Sequence, residues 1–439
     1  MPQLPVSNGY SYLIERLNRF PQGAPASELL TKILTLLFSE KEAGLISQLP
    51  IHPFSSAHAA RLWRVREVEA ARLLDGLADR ALLLDMEQEN GEKLYVLPPP
   101  MAGFFEFSLM RARSDIDQQG LSDLYYQYLN VEEDFIKELC TQGTTRLGRI
   151  FIDEESIPPA HVTRVLDYER ASEVVRSART IGVANCYCRT KMSHLVRACS
   201  APLEACLTFD TVAESLIRHE HARQLDAAEC LDLLQKSREQ NLVQFGENVQ
   251  GGVSFLCNCC GCCCEALVAA RKFCNLRPVH TTNFLPRIKR DVCSGCGKCV
   301  DVCPAEALGL VSANEPQHHG QRKAVLAPGR CLGCGVCVRV CRDGALSLVP
   351  RPARVITPVD TAHRVVQMAV ERGKLQHLIW ENRALFSHRA LAAVVGVILR
   401  LPVLQQALAK SQMGSRYLDS MIREHAKGTA KEVRFQENS

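Results

Sequence analysis

Cys293-Ser-Gly-Cys296-Gly-Lys-Cys299-Val-Asp-Val-Cys303-Pro304 sets three cysteines two residues apart and adds a fourth after three more residues. Thirty-eight residues on, Cys331-Leu-Gly-Cys334-Gly-Val-Cys337-Val-Arg-Val-Cys341 repeats that spacing. Extended through Leu310 and Leu348, the two windows agree at 11 of 18 positions, which marks an internal duplication. Glycines 295, 297, 333 and 335 allow a tight loop on which three thiols can aim at one centre. The fourth cysteine of each half opens a segment that leads away from that loop.

Three converging thiols plus one more make a ligand set for a [4Fe–4S] cluster, the fourth coming from the other half of the repeat. On that rule one cluster takes Cys293, Cys296, Cys299 and Cys341, and the other takes Cys331, Cys334, Cys337 and Cys303. Paired CxxC zinc sites are the competing reading, but zinc sites rarely carry the third and fourth cysteines in this pattern. The segment over 284–350 resembles the bacterial-type two-cluster ferredoxin domain. That resemblance implies two pseudo-symmetric halves of two strands and a helix, and a role in single-electron transfer. Arg342 stands where the motif has proline. The insert between Cys303 and Cys331, with His318 and His319, reads as an extended hairpin with exposed histidines.

Twenty-one cysteines are many for 439 residues, and all but Cys140 fall between 186 and 341. Their CxC, CC and CxxC grouping is not that of a disulfide framework, and a chain this long needs no stapling. A second group comprises Cys186, Cys188, Cys199, Cys206, Cys257, Cys259, Cys260, Cys262, Cys263 and Cys264. Ten thiols exceed the needs of one cubane. They suit one or two further iron–sulfur clusters, a cluster plus zinc, or a cluster with an open iron site. Cys140, Cys230 and Cys274 read as core thiols, and His194 as a surface residue rather than a ligand. The order of a helical first part, a CYCR…CNCCGCCC segment and a two-cluster module resembles uncharacterised multidomain ferredoxin-like iron–sulfur proteins. The Cys259-Cys260-Gly261 element is faintly similar to heterodisulfide-reductase-type domains.

Outward from the cysteines, the pattern predicts an α+β, multidomain chain. Residues 1–100 read as a winged-helix-like domain. Helices are expected at about 27–38, 39–49, 56–63 and 68–79, with strands at 81–87 and 93–97 around Glu89-Asn90-Gly91. Residues 101–180 read as a helical connector. Residues 181–280 form a Cys-rich α/β metal-binding unit with its cysteines on strand-end loops. The two-cluster module follows at 284–350, then a helical region over 351–439 with 14 Lys/Arg against 7 Asp/Glu.

The formal charge of +4 predicts no class of partner, since two clusters with thiolate ligands would offset it. No apolar run approaches the roughly 18 residues needed to span a bilayer. The first residues lack the form of a secretory leader, so a reducing cytoplasm is expected. No GxGxxG or P-loop pattern marks a nucleotide or flavin site, and no residue pattern names catalytic groups. The leading expectation is an iron–sulfur electron-transfer protein serving a redox partner protein or a reductive site of its own. As an enzyme it would be an iron–sulfur oxidoreductase or a subunit of one. The alternative is a redox- or metal-responsive transcription regulator. Its expected recognition helix has Arg66 and Arg72 but begins with Glu67 and Glu69, which oppose phosphate contact.

Overall fold

The computed structural model describes residues 8–313 and 322–380, with a few positions between 397 and 409. His318, His319 and most of the basic C-terminal region lie outside the described residues.

The chain opens with α1 (Gly9–Arg19), α2 (Glu28–Leu37) and α3 (Glu40–Ile46). Ser27 accepts from Leu30 N to cap α2, whose Leu30, Ile33, Leu34 and Leu37 are buried. Ser39 and Glu42 form a reciprocal capping box on α3. Next come β1 (Phe54–Ser55), α4 (Ser56–Trp63), α5 (Glu67–Ala78), β2 (Leu84–Glu87) and β3 (Lys93–Val96). The three strands form a sheet in the order β1-β3-β2. β1 is two residues long and gives no alternation to read, so only the hairpin was legible in the sequence.

Helices α6 (Phe105–Phe107), α7 (Gln118–Tyr126) and α8 (Asp134–Thr141) follow. Phe104, Phe105, Tyr125, Tyr128 and Phe135 join them in a chain of aromatic contacts, inside a core shared with α1–α5. The stretch expected to be helical also contains β4 (Gly148–Ile150), a three-residue edge strand too short to show a period. After it comes α9 (Ala171–Ser177).

The next elements are β5 (Ile181–Asn185), α10 (Tyr187–His194), β6 (Glu204–Phe209), α11 (Asp210–Arg218) and β7 (Arg223–Leu225). They continue as α12 (Ala227–Glu239), β8 (Val243–Glu247), β9 (Phe255–Cys259) and α13 (Glu265–Lys272). Six strands form one sheet, ordered β4-β8-β9-β6-β5-β7, and every pairing between them is antiparallel. Strands and helices alternate in this middle unit as expected, but its sheet is wholly antiparallel, so it is α+β and not α/β: strands far apart in the chain, such as β4 with β8 and β6 with β9, pair in opposite directions.

The duplicated segment gives β10 (Phe284–Ile288), α14 (Lys298–Asp301), β11 (Leu308–Ser312), β12 (Arg322–Leu326), α15 (Val336–Arg339) and β13 (Leu346–Pro350). β10 pairs with β13 and β11 with β12, both antiparallel. Then α16 (Thr361–Glu371) and α17 (Leu375–Trp380) return across the molecule. Arg364 of α16 pairs with buried Glu247 at 2.7 Å, and Arg372 donates to the carbonyls of Pro21 and Leu139. Among the described residues no helix is long and apolar enough to cross a membrane.

The hairpin of the first unit docks on α11. Asp85 is fully buried, accepts from Ser215 Oγ at 2.7 Å, and is ion-paired with Arg218 and His219. Burial opposes its ionisation, but His219, Ser215 and Arg218 together hold the carboxyl well below its ordinary range. The hydrogen bond that His219 donates to Asp85, with a further carboxylate at Asp79, raises His219 above its usual value of 6.5. A raised histidine stabilises the fold below its unfolded value, and that contribution is lost as pH rises through the folded value. A depressed carboxylate does the reverse, losing its contribution as pH falls below about 3.8. The melting temperature of the wild type should therefore exceed that of His219→Gln most between those limits, and the gap should close as pH is raised above 6.5. A gap independent of pH would remove the charge from this argument.

Candidate metal centres

Strand pairing builds the largest thiol cluster. Cys206 on β6 lies directly opposite Cys257 on β9. Cys257 and Cys259 are two residues apart on one strand, so both face the same side of the sheet. A register shift between Ala184 and Asn185 ends β5 and leaves Cys186 beside Cys206, where it caps α10. Cys188 comes from the first turn of α10, and Cys264 caps α13. The thiol contacts close into a ring: Cys186 with Cys188, then Cys264, Cys259, Cys257, Cys206 and back to Cys186.

These six thiols face a cavity of about 350 Å³ whose other walls are mostly apolar, among them Phe107, Met110 and Phe245. Hydrogen bonds from Cys206 and Cys259 draw Cys257 down to about 5, and those from Cys188 and Cys259 do the same for Cys264. Cys188, Cys206 and Cys259 donate in turn and are pushed up. Glu106 also lines the cavity. Burial raises it to about 8, although the backbone N–H groups of Ala102 and Gly103 donate to its carboxylate. The Tyr187 hydroxyl, on a residue 1% exposed, has no hydrogen-bond partner in the described structure.

The remaining four of the ten cysteines gather elsewhere. Cys260, Cys262 and Cys263 lie on the turn between β9 and α13, and Cys199 on the loop between α10 and β6. Their Sγ atoms all lie within 4.8 Å of one another. Individual separations are 3.5 Å for Cys199–Cys260, 3.6 Å for Cys262–Cys263 and 3.9 Å for Cys263–Cys199. Gly261, inside this turn, packs so closely on Pro304 of the duplicated segment that a Cβ would come within 2.9 Å of its Cα.

Arg189 lies between the two groups. It is 1% exposed and donates to the carbonyls of Pro202 and Asn258. Despite burial it is held firmly charged by the thiol groups around it, Cys186 first and then Cys260 and Cys259. Among the described residues no carboxylate pairs with it. Close by, Lys191 and Glu265 form an ion pair, 1% and 4% exposed, completed by Asn130, which accepts from Lys191 at 2.7 Å and donates to Glu265 at 2.7 Å. Neither Arg189 nor this pair was singled out from the sequence, although each lies within three residues of a ring cysteine.

In the duplicated segment, Cys293, Cys296, Cys299 and Cys341 line one small hollow, and Cys303, Cys331, Cys334 and Cys337 line another. Gly295 and Gly333 both have φ of +73°. A Cβ on Gly295 would collide with the Arg322 carbonyl oxygen, and one on Gly333 with that of Phe284. Backbone N–H groups point at sulfur: Ala307 to Cys303 at 3.2 Å, Gly333 to Cys331 at 3.4 Å and Ala324 to Cys293 at 3.5 Å. Burial pushes the Cys334 thiol up to about 12 and Cys337 further. Converging thiols with amide donors in an apolar shell suit an anionic cluster, whose cationic irons would make all four deprotonate. Gly333→Ala should cost about 1–3 kcal/mol through left-handed backbone strain and the carbonyl clash. It should also strip iron from the Cys303/331/334/337 hollow. Full iron content in a stable variant would show the loop more yielding than its geometry implies.

Of the other residues considered, Cys140 and Cys230 are buried core thiols, whereas Cys274 is partly exposed on a short turn after α13 and is no core residue. His194 Nδ1 is 2.7 Å from Ser122 Oγ, away from the thiols.

Residues 292–345 match the family model described as "4Fe-4S dicluster domain". No match to the chain is found among curated proteins or among solved structures. Residues 292–345 are thus a ferredoxin-type iron–sulfur domain within a larger chain.

Proposed function

We propose that this protein is a multicentre electron carrier in which the ferredoxin-type domain exchanges electrons with a further iron–sulfur centre held by Cys186, Cys188, Cys206, Cys257, Cys259 and Cys264. The domain's own ligand sets are Cys293, Cys296, Cys299 and Cys341 for one [4Fe–4S] cluster, and Cys303, Cys331, Cys334 and Cys337 for the other. Bound clusters supply one-electron redox chemistry, while the chain provides ligands, burial and hydrogen bonds to sulfur.

One observation carries the reading. Cys257, Cys259 and Cys264 share a single apolar core with Leu332 and Cys334, which line the Cys303/331/334/337 hollow, the inner of the two. Cys296, by contrast, is exposed at the outer one. The order from solvent inward is outer hollow, inner hollow, thiol ring, which is the order needed to admit an electron from a partner protein and deliver it to a buried site. The Asp153 amide donates to the Cys334 carbonyl at 3.0 Å and its carboxylate pairs with Arg339 and Arg238, fixing the domain against the middle unit. Six thiols linked in one ring exceed the four donors a single ion takes, which favours a polynuclear centre there.

Residues 27–97 follow a winged-helix order, and we assign them a scaffolding role. The β2 strand of the wing is turned inward onto α11 through Asp85, and the exposed face of α5 begins with Glu67, Val68 and Glu69. That use of the wing disfavours the regulator reading.

Anaerobically prepared full-length protein should hold more than the roughly eight iron and eight sulfide that two cubanes account for. Cys206→Ser with Cys257→Ser should remove only the excess and leave the domain's reduced-state EPR signals in place. An iron content of about eight in the wild type, unchanged in the variant, would confine the redox role to the ferredoxin-type domain.

A further inference from the structure

Ten of the cysteines of the middle unit separate by geometry into two sites of different kinds. We infer that Cys199, Cys260, Cys262 and Cys263 bind one zinc ion, as a site distinct from the six-thiol ring. A tetrahedral Zn(Cys)4 site with Zn–S near 2.3 Å has S···S edges of about 3.8 Å. The three close pairs here span 3.5, 3.6 and 3.9 Å, and all four sulfurs lie within 4.8 Å. Thiolates on a cubane each bind a different iron and stand farther apart, so this spacing suits a single ion. The six-thiol ring is a different arrangement, six sulfurs that touch only in turn around a ring along one wall of a cavity of about 350 Å³.

A second observation, independent of these distances, is the burial of Arg189. A guanidinium 1% exposed without a carboxylate partner is costly unless another anion compensates it. It follows Cys188 in the chain and donates to the carbonyl of Asn258, between Cys257 and Cys259. Four thiolates on one divalent ion carry a net charge of about −2, and Arg189 offsets part of it. The donor set is closed, four sulfurs with no open position, which makes the role structural. The ion ties the α10–β6 loop to the turn that follows β9, and that turn rests on Pro304. It thereby holds the ferredoxin-type domain's contact with the ring without taking part in redox chemistry.

The inference stands whether or not the ring holds a cluster, because zinc and iron are counted separately. Full-length protein purified without chelator should contain about one zinc per chain. Cys262→Ser, at the most exposed of the four thiols, with Cys263→Ser should lose that zinc while retaining iron, sulfide and the visible spectrum. Cobalt(II) exchanged into the wild type should give the intense absorption of a tetrahedral tetrathiolate site, a readout that remains if the variant does not accumulate. Absence of zinc from the wild type, or parallel loss of iron and zinc in the variant, would overturn the assignment. So would a single iron ion in place of zinc.

Discussion

Cys341→Ala should abolish the same EPR and visible signals as Cys296→Ala, although 45 residues separate the two positions, and leave those of Cys334→Ala intact. Each single variant should lose roughly four of the eight iron ions expected in the ferredoxin-type domain. Cys341 closes the hollow that Cys293, Cys296 and Cys299 line, whereas Cys303 closes the other. The helices α14 and α15 carry the chain from one hollow to the next, so the fourth thiol of each repeat reaches the partner half. Cys341→Ala and Cys334→Ala giving the same spectrum would mean that each repeat ligates its own cluster.

Lys191→Met should be strongly destabilising, costing about 3–5 kcal/mol by leaving Glu265 buried without its cation. Lys191 follows Cys188 on α10, and Glu265 follows Cys264 at the start of α13. The pair therefore joins the two helices that bring Cys188 and Cys264 to the ring. On the proposed function, loss of iron in excess of the ferredoxin-type domain's share should accompany the lower melting temperature. Lys191→Met with Glu265→Leu should recover much of the stability, since it removes both charges, though Asn130 would then lose both partners. A single variant that melts within about 1 kcal/mol of the wild type would show the pair to be dispensable. A double variant no better than the single would assign the loss to packing.

The iron–sulfur character of this chain was legible because a cluster loop is a local object. Spacings of two and three residues, with glycine between, bring thiols together whatever surrounds them, and duplication makes the pattern recognisable twice. Helix starts at Ser27 and Ser39 were legible for a similar reason, since a cap acts within three residues of itself. The sequence by itself also determined that the ten cysteines of the second group fall into two runs, at 186–206 and 257–264. It did not determine how they divide. That division depends on Cys206 standing opposite Cys257, on the register shift after Ala184, and on the pleat that turns Cys257 and Cys259 to one face. It depends equally on a turn that carries Cys260, Cys262 and Cys263 away to meet Cys199. Strand order, a buried Arg189 between two thiol groups and the inward turn of Asp85 rest on contacts between residues far apart in the chain. Spacing along the sequence carries no record of such contacts, and only the tertiary structure decided them.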